Sequence, residues 1–300
     1  MNVRLATRRS PLALAQSNYV AQRLAHFGVS ATLVPVETRG DRELHGDLTD
    51  LGGQGVFAVE VQACVLSGEA DVAVHSAKDL PSVTPTGLRL VCVPQRLDPA
   101  DVLVGRSLAG LGPGATVATG SPRRRALLLE RRPDLHVVTL RGNMARRLAA
   151  AGRDGVDAVV AAAAALERLG ESARVAERLD PTWFVPQVGQ GALALEVRDD
   201  DDNELASHMR AIDDDGAHRA LLAERAFLGE LGVGCTAPAG ANGSVVGEIV
   251  SLRGVLLTVD GSRSARGHVE DVDPLRAGAN LARRLRDELG GQLSTETGRA

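Results

Sequence analysis

At 300 residues the chain is long enough for two or three domains, and 44% hydrophobic with 24% charged residues is ordinary globular composition with material for real cores. Aromatic residues amount to only 2% and the formal net charge is −4, so the sequence lacks both the stacking faces of a single-strand binder and the basic balance of a nucleic-acid-binding protein. Any anion must be met by local clusters, because salt screens charge beyond about 8 Å.

In chain order, MNVRLATRRS places Arg4, Arg8 and Arg9 where a secretory signal needs an apolar run, and the expected location is the cytoplasm. Residues 3–7 read as a short strand. A helix follows from SPLALAQ, with Ser10 as N-cap and Pro11 at the first helical position. Strands are predicted at 31–37, 71–75 and 89–93, with a helix near 56–67. From about 98 the alternation resumes: DVLVG, ATVAT, a helix opened by SPRRRALLLERR, then HVVTL, NMARRLAAAG, VDAVV and AAAALERLG. Strand–helix alternation with short connections predicts an α/β fold with mostly parallel sheets. The longest apolar run, Ala158 to Leu166, is far short of the roughly 20 residues a membrane span needs.

ATRRSPLAL at 6–14 and ATGSPRRRALLL at 118–129 echo each other as strand, Ser-Pro and helix, so two α/β domains would each aim a helix N-terminus at a shared cleft. After about 213 the pattern becomes a helix at 217–230, a glycine-rich loop, strands near 244–258 and 262–270 with Asp260-Gly261 as turn, and a helix over 273–289. That is a small α+β third domain, followed by a tail, STETGRA, that is expected to fray.

Three features suggest chemistry. The chain has one lysine, Lys78 in DVAVHSAKDLP; all other members of its 34 Lys plus Arg are arginine. Asp79 follows the apolar strand Val72-Ala73-Val74, at the carboxyl edge where open α/β sheets bind ligands. Among nearby cations its carboxyl is expected to stay ionised; a surface Asp–Lys pair is the alternative. Residues 123–147 hold eight arginines against Glu130 and Asp134. Arg131 and Arg132 suit the end of a helix, whereas Arg123, Arg124 and Arg125 stand at a helix opening that disfavours cations. A docked anion explains them, met by backbone N–H groups and guanidinium forks; a solvated basic face is the alternative. Arg141 in LRGN follows a strand in the same way.

Third, Cys235 lies in ELGVGCTAPAG among small residues, where its sulfur is expected to be accessible, whereas Cys64 and Cys92 sit in core contexts. Three cysteines without a CxxC pair suit neither a disulfide framework nor a zinc site, and the seven histidines form no metal-binding pattern. No bound metal is expected.

Nine segments occurring in register, ATRRSPLALAQ, VETRGD, GGQGVF, ADVAVHSAKDLP, ATGSPRRRALLLERRPDL, LRGNMARRL, DAVV…ALERLG, VGQGALALE and AERAFLGELGVGCTAPAG, together resemble the hydroxymethylbilane synthase (porphobilinogen deaminase) family over nearly the whole chain. The resemblance implies two type II periplasmic-binding-protein-like domains, 1–94 with 191–209 and 98–186, plus a small α+β domain over 213–300. It implies a dipyrromethane cofactor held by a thioether to Cys235, and head-to-tail condensation of four porphobilinogens with loss of ammonia, then hydrolytic release of the linear tetrapyrrole.

On this match Asp79 is the catalytic carboxylate, beside the electron-poor azafulvene that loss of ammonia creates. Arg8, Ser10, Ser76, Lys78, Thr119, Ser121, Arg123, Arg124, Arg141, Arg147, Arg168, Gln190 and Gly191 fall on substrate- or cofactor-binding positions. Phe57 belongs to a possible lid. Departures from the family pattern are Asp50 and Gln54 where lysines are common, Gly120, Pro122, Arg146 and Thr236. The implied partners are porphobilinogen and the growing polypyrrole, with neither nucleic acid nor membrane, in a monomer. A non-enzymatic anion-binding protein on the same scaffold is the competing reading, and it has no use for Cys235.

Overall fold

The computed structural model describes residues 1–38, 58–140, 142–200, 203–232 and 237–290. A first lobe is built from β1 (Asn2–Arg8), α1 (Pro11–Ala25), β2 (Ser30–Val36), α2 (Val59–Leu66), β3 (Val72–Ser76) and β4 (Leu88–Cys92). A second contains β5 (Asp101–Gly105), β6 (Thr116–Ala118), α3 (Pro122–Arg131), β7 (His136–Val138), α4 (Met144–Ala150), β8 (Ala158–Ala162), α5 (Ala163–Arg168) and β9 (Val175–Arg178). The chain then returns to the first lobe as β10 (Leu193–Arg198) and α6 (Asn203–Arg210).

The two sheets have the orders β2-β1-β3-β10-β4 and β7-β6-β8-β5-β9. In each, four strands run in one direction, and the strand entered across the lobe boundary (β10 or β5) runs antiparallel to both its neighbours. The sheets are thus mostly parallel in strand direction, as expected, with one antiparallel strand inserted in each. The paired, twice-crossed arrangement is that of a type II periplasmic-binding protein. Apolar periodicity says which residues are buried but carries no strand direction, so the antiparallel insertions left no mark in it.

Local chemistry repeats where the sequence echoes itself. Ser10 Oγ accepts from Ala13 N at 3.3 Å with Pro11 opening α1, and Ser121 Oγ accepts from Arg124 N at 3.4 Å with Pro122 opening α3. Each serine satisfies one orphan N–H of a first turn whose proline has no N–H to satisfy. The run Ala158–Leu166 divides into strand β8 and helix α5.

A third unit holds α7 (Asp215–Leu231), the antiparallel sheet β11 (Ala239–Val246), β12 (Ile249–Leu257), β13 (Ser264–Asp271), and α8 (Pro274–Glu288). The single strand predicted near 244–258 is in fact part of a hairpin that turns at Gly247 (φ 60°), and the glycine-rich loop before it already contains the start of β11. Val255 and Leu257 of β12 share a buried cluster with Leu103, Val117, Leu127 and Phe184, so the third unit shares a core with the second lobe. Two segments cross between the lobes side by side: Leu97 N donates to Gly191 O at 3.3 Å, and Arg96 Nε to Gln190 O at 2.9 Å.

Candidate active site

β3 ends at Ser76, and a single 3₁₀ turn, Ala77–Asp79, follows it. The turn swings Asp79 to the carboxyl edge of the first sheet before Pro81 carries the chain away. Arg8 and Ser10, from the corresponding β1–α1 junction, line the same cleft as Ser76, His75 and Asp79; the cleft encloses about 380 Å³ of space open to solvent. Gln16 of α1 is buried there and donates through Nε2 to Ser76 Oγ at 2.7 Å.

Lys78 sits on the other side of the turn. With Ser121, Gln187, Arg225 and Ala239 it lines a second hollow of about 440 Å³, where the two lobes meet the third unit. Burial first, then the charges of Arg124 and Arg147, pull its pKa down to about 8 against the opposing pull of Asp79 and Asp101. Arg147 feels the same field: burial and Arg124 lower its pKa while Asp79 raises it, and its Nε donates to Gly142 O at 2.7 Å. This corner is crowded with positive charge.

Arg123 and Arg124 have an internal reason that the sequence reading denied them. Arg123 Nη2 bonds Asp101 Oδ2 at 2.7 Å, and Arg124 bonds Oδ1 through Nε at 2.9 Å and Nη2 at 2.7 Å. Gln190 Nε2 adds a bond to Oδ1 at 2.9 Å. Asp101 has no exposed surface, and this donor set holds its pKa at about 2 despite burial. Arg123 also donates to Val185 O at 2.7 Å, and Arg125 to Val137 O at 2.5 Å. The cations at this helix opening are therefore held by protein acceptors, and Arg123 is nearly all interior; the charge of Arg124 still lowers the pKa of Lys78 and of Arg147.

Thr119 is buried, its hydroxyl accepting from Ser121 N at 3.2 Å. Arg168 donates to Gly191 O at 2.9 Å, so two proposed binding positions bond each other, and burial lowers the Arg168 pKa to about 10. Arg141, Cys235 and Phe57 lie outside the described residues, as do Asp50, Gln54 and Thr236. Cys64 and Cys92 are buried, and burial pushes both thiols up.

Sequence reasoning missed Asp101, although an aspartate opening the apolar strand DVLVG needs a buried partner and was a usable signal. It also missed Gln16 and Glu224. The latter is fully buried; it pairs with Arg96 at 2.5 Å and accepts from Gly189 N at 2.6 Å and Gly243 N at 2.7 Å. Nothing in the helical spacing of α7 marks it.

This geometry meets independent evidence from relatives. Residues 3–206 match the family model described as porphobilinogen deaminase, dipyromethane cofactor binding domain, and 218–290 match the porphobilinogen deaminase C-terminal domain. The chain belongs to the porphobilinogen deaminase family. The porphobilinogen deaminase of Syntrophotalea carbinolica is 45% identical over 264 residues, covering 86% of this chain and 84% of that protein. Those of Roseiflexus sp. and Acidothermus cellulolyticus are each 42% identical, covering 96% of this chain and 97% and 90% of their own length. Among solved structures, the methionine-binding protein MetQ aligns with 71% of this chain and 91% of its own, at 12% identity and a TM-score of 0.46.

Proposed function

We propose that Asp79 is the catalytic carboxylate of this chain and that Cys235 carries its dipyrromethane. The reaction is the family's: four porphobilinogens are joined head to tail with release of ammonia, and the linear tetrapyrrole hydroxymethylbilane is released by hydrolysis. The observation that carries the residue assignment is the placement of Asp79 between Arg8 and Ser10 on one side and the charges of Lys78 and Arg147 on the other.

The chemistry of the cleft fits the cofactor. Each pyrrole ring bears an acetate and a propionate, and a corner in which cations depress one another's pKa is one that an incoming carboxylate relieves. Lys78, Ser121, Arg124, Arg147 and Arg168 would hold such carboxylates, with Arg141 from the segment before α4. Each charge-assisted hydrogen bond contributes about 1.5–3 kcal/mol net. When bound, dipyrromethane supplies the tethered terminal pyrrole to which porphobilinogen is joined.

Loss of ammonia leaves positive charge on the porphobilinogen ring, and the carboxylate of Asp79, fixed by a one-turn helix, stabilises that charge without reorganising. Arg8 and Ser10, at the α1 opening, orient the incoming ring's carboxylates beside it. The functional division we propose is 1–94 with 191–209, 98–186 and 213–300, acting as a cytoplasmic monomer. Among the described residues no helix is long and apolar enough to cross a membrane. The test is ammonia release by Asp79→Asn, which keeps the size and removes the charge. A loss of about 100-fold or more is expected, and near-normal release would sink the assignment.

A further inference from the structure

The returning segment 187–192 does more than connect the lobes, because it grips the turn that carries Asp79 at three points. Ala77 N donates to Ala192 O at 3.0 Å, and Gln187 Nε2 donates to Lys78 O at 3.2 Å. Between them Gly189, in the left-handed region at φ 72°, lies flat on the Ala77–Lys78 peptide. A Cβ at this position would stand 2.8 Å from both Ala77 C and Lys78 N, closer than atoms pack. The neighbour is backbone, so it cannot rotate aside; the turn itself would have to move.

Gly189 is in turn anchored elsewhere. Its N–H donates to Glu224 Oε2 at 2.6 Å, and the same carboxylate takes Gly243 N from β11 and both guanidinium nitrogens of Arg96, at 2.5 and 3.2 Å. Next along the chain, Gln190 bonds Asp101 of the second lobe. The surface against which the Asp79 turn rests is thereby fixed to the third unit and to the second lobe at once.

We propose that Gly189 is a positioning residue for the reaction, setting the placement of Asp79 through the Ala77–Lys78 peptide, with Gln187 as its partner in that role. The proposal rests on Asp79 being the catalytic carboxylate. A displacement of the turn changes how Asp79 meets charge developing in the transition state; it moves Lys78 as well, but leaves the carboxylate-binding groups of α1, α3 and α4 where they are. It therefore lowers kcat by far more than it raises KM, and spares cofactor loading.

The test compares Gly189→Ala with Gly28→Ala in the full-length chain carrying its cofactor. Gly28 has a matching φ of 75° with nothing within 4 Å of its Cβ position, so it reproduces the backbone strain without the contact. Loading is read by intact mass, and kcat and KM by ammonia release. Gly189→Ala is expected to lose about 10-fold or more in kcat with normal loading and a much smaller change in KM, while Gly28→Ala keeps its kcat. Should Gly189→Ala fail to fold, Gln187→Leu replaces it, with an expected loss of about 3-fold in kcat alone. Unchanged kcat in the folded variant, or a loss matched by a rise in KM or by missing cofactor, overturns the proposal. Asp79→Asn measured in parallel separates the two ideas. If it is inactive while Gly189→Ala is normal, only the positioning role falls; if it is active, the reading of Asp79 falls and this role with it.

Discussion

Asp101 and Lys78 show how differently two buried charges sit in the same positive surroundings. Asp101 is sealed from water and matched by two guanidinium groups and an amide. Removing one partner of such a buried set leaves uncompensated charge, so Asp101→Asn is expected to cost about 3–5 kcal/mol of stability by denaturant unfolding. Its folded pKa of about 2 lies below the ordinary 3.8. The unfolded chain binds the proton more readily, and the contribution of Asp101 is complete above about pH 4 and is lost as pH falls toward 2. The shift of Lys78 runs the same way: its folded pKa of about 8 lies below the ordinary 10.5. Between those values the unfolded chain holds more protons, so the cofactor-free protein gains stability from this residue as pH rises from about 8 to 10.5. Thermal unfolding of the cofactor-free chain, with and without Lys78→Met, measures that gain; a slope that survives the substitution would assign it to another group. The lone lysine and its aspartate stood out in the sequence because of an otherwise all-arginine composition. Asp101 did not, since its role depends on a helix opening some 20 residues away and on Gln190 from a distant segment.

Helix α3 is the element that links the chemistry to the frame. At its opening Ser121 and Arg123 line the hollow shared with Lys78. Its last turn offers Glu130 to Ser264 Oγ at 2.5 Å and to the guanidinium of Arg266 in the third unit. Arg131, which the sequence explained by the helix dipole alone, also lies 4.5 Å from the centroid of the Trp183 ring. Arg131→Leu should therefore cost about 0.5–1 kcal/mol and leave turnover intact, whereas Arg141→Leu and Arg147→Leu should impair cofactor assembly or elongation. Stability and ammonia release across the three variants check this, and equal effects would reduce the cluster to a basic patch. Both Ser-Pro helix openings were legible because capping is written in consecutive residues. The β11–β12 hairpin and β9 were not. Gly240 and Gly243 read as loop but are strand glycines pressed on backbone, Gly240 within 2.6 Å of Pro186 O and Gly243 within 3.1 Å of Ala220 O at the Cβ position. In β9 only four residues, Val-Ala-Glu-Arg, form the strand.

Across the whole molecule, three units converge on residues 187–191, and the turn bearing Asp79 is seated against that junction rather than within one lobe. This explains how a chain whose lobes enclose an anion cleft can also present a third unit beside it: β11 begins at Ala239, which lines the hollow shared by Lys78 and Ser121. In the sequence, Cys235 falls between α7 and β11. We propose that Cys235, and neither buried thiol, carries the chain-growing anchor. Intact and peptide mass measurement of protein purified from cells making porphobilinogen tests it most directly. The expected mass is the sequence mass plus two porphobilinogens less two ammonias, the excess confined to the peptide containing Cys235 and absent from Cys235→Ser. Fully active protein with an unmodified Cys235 would contradict it.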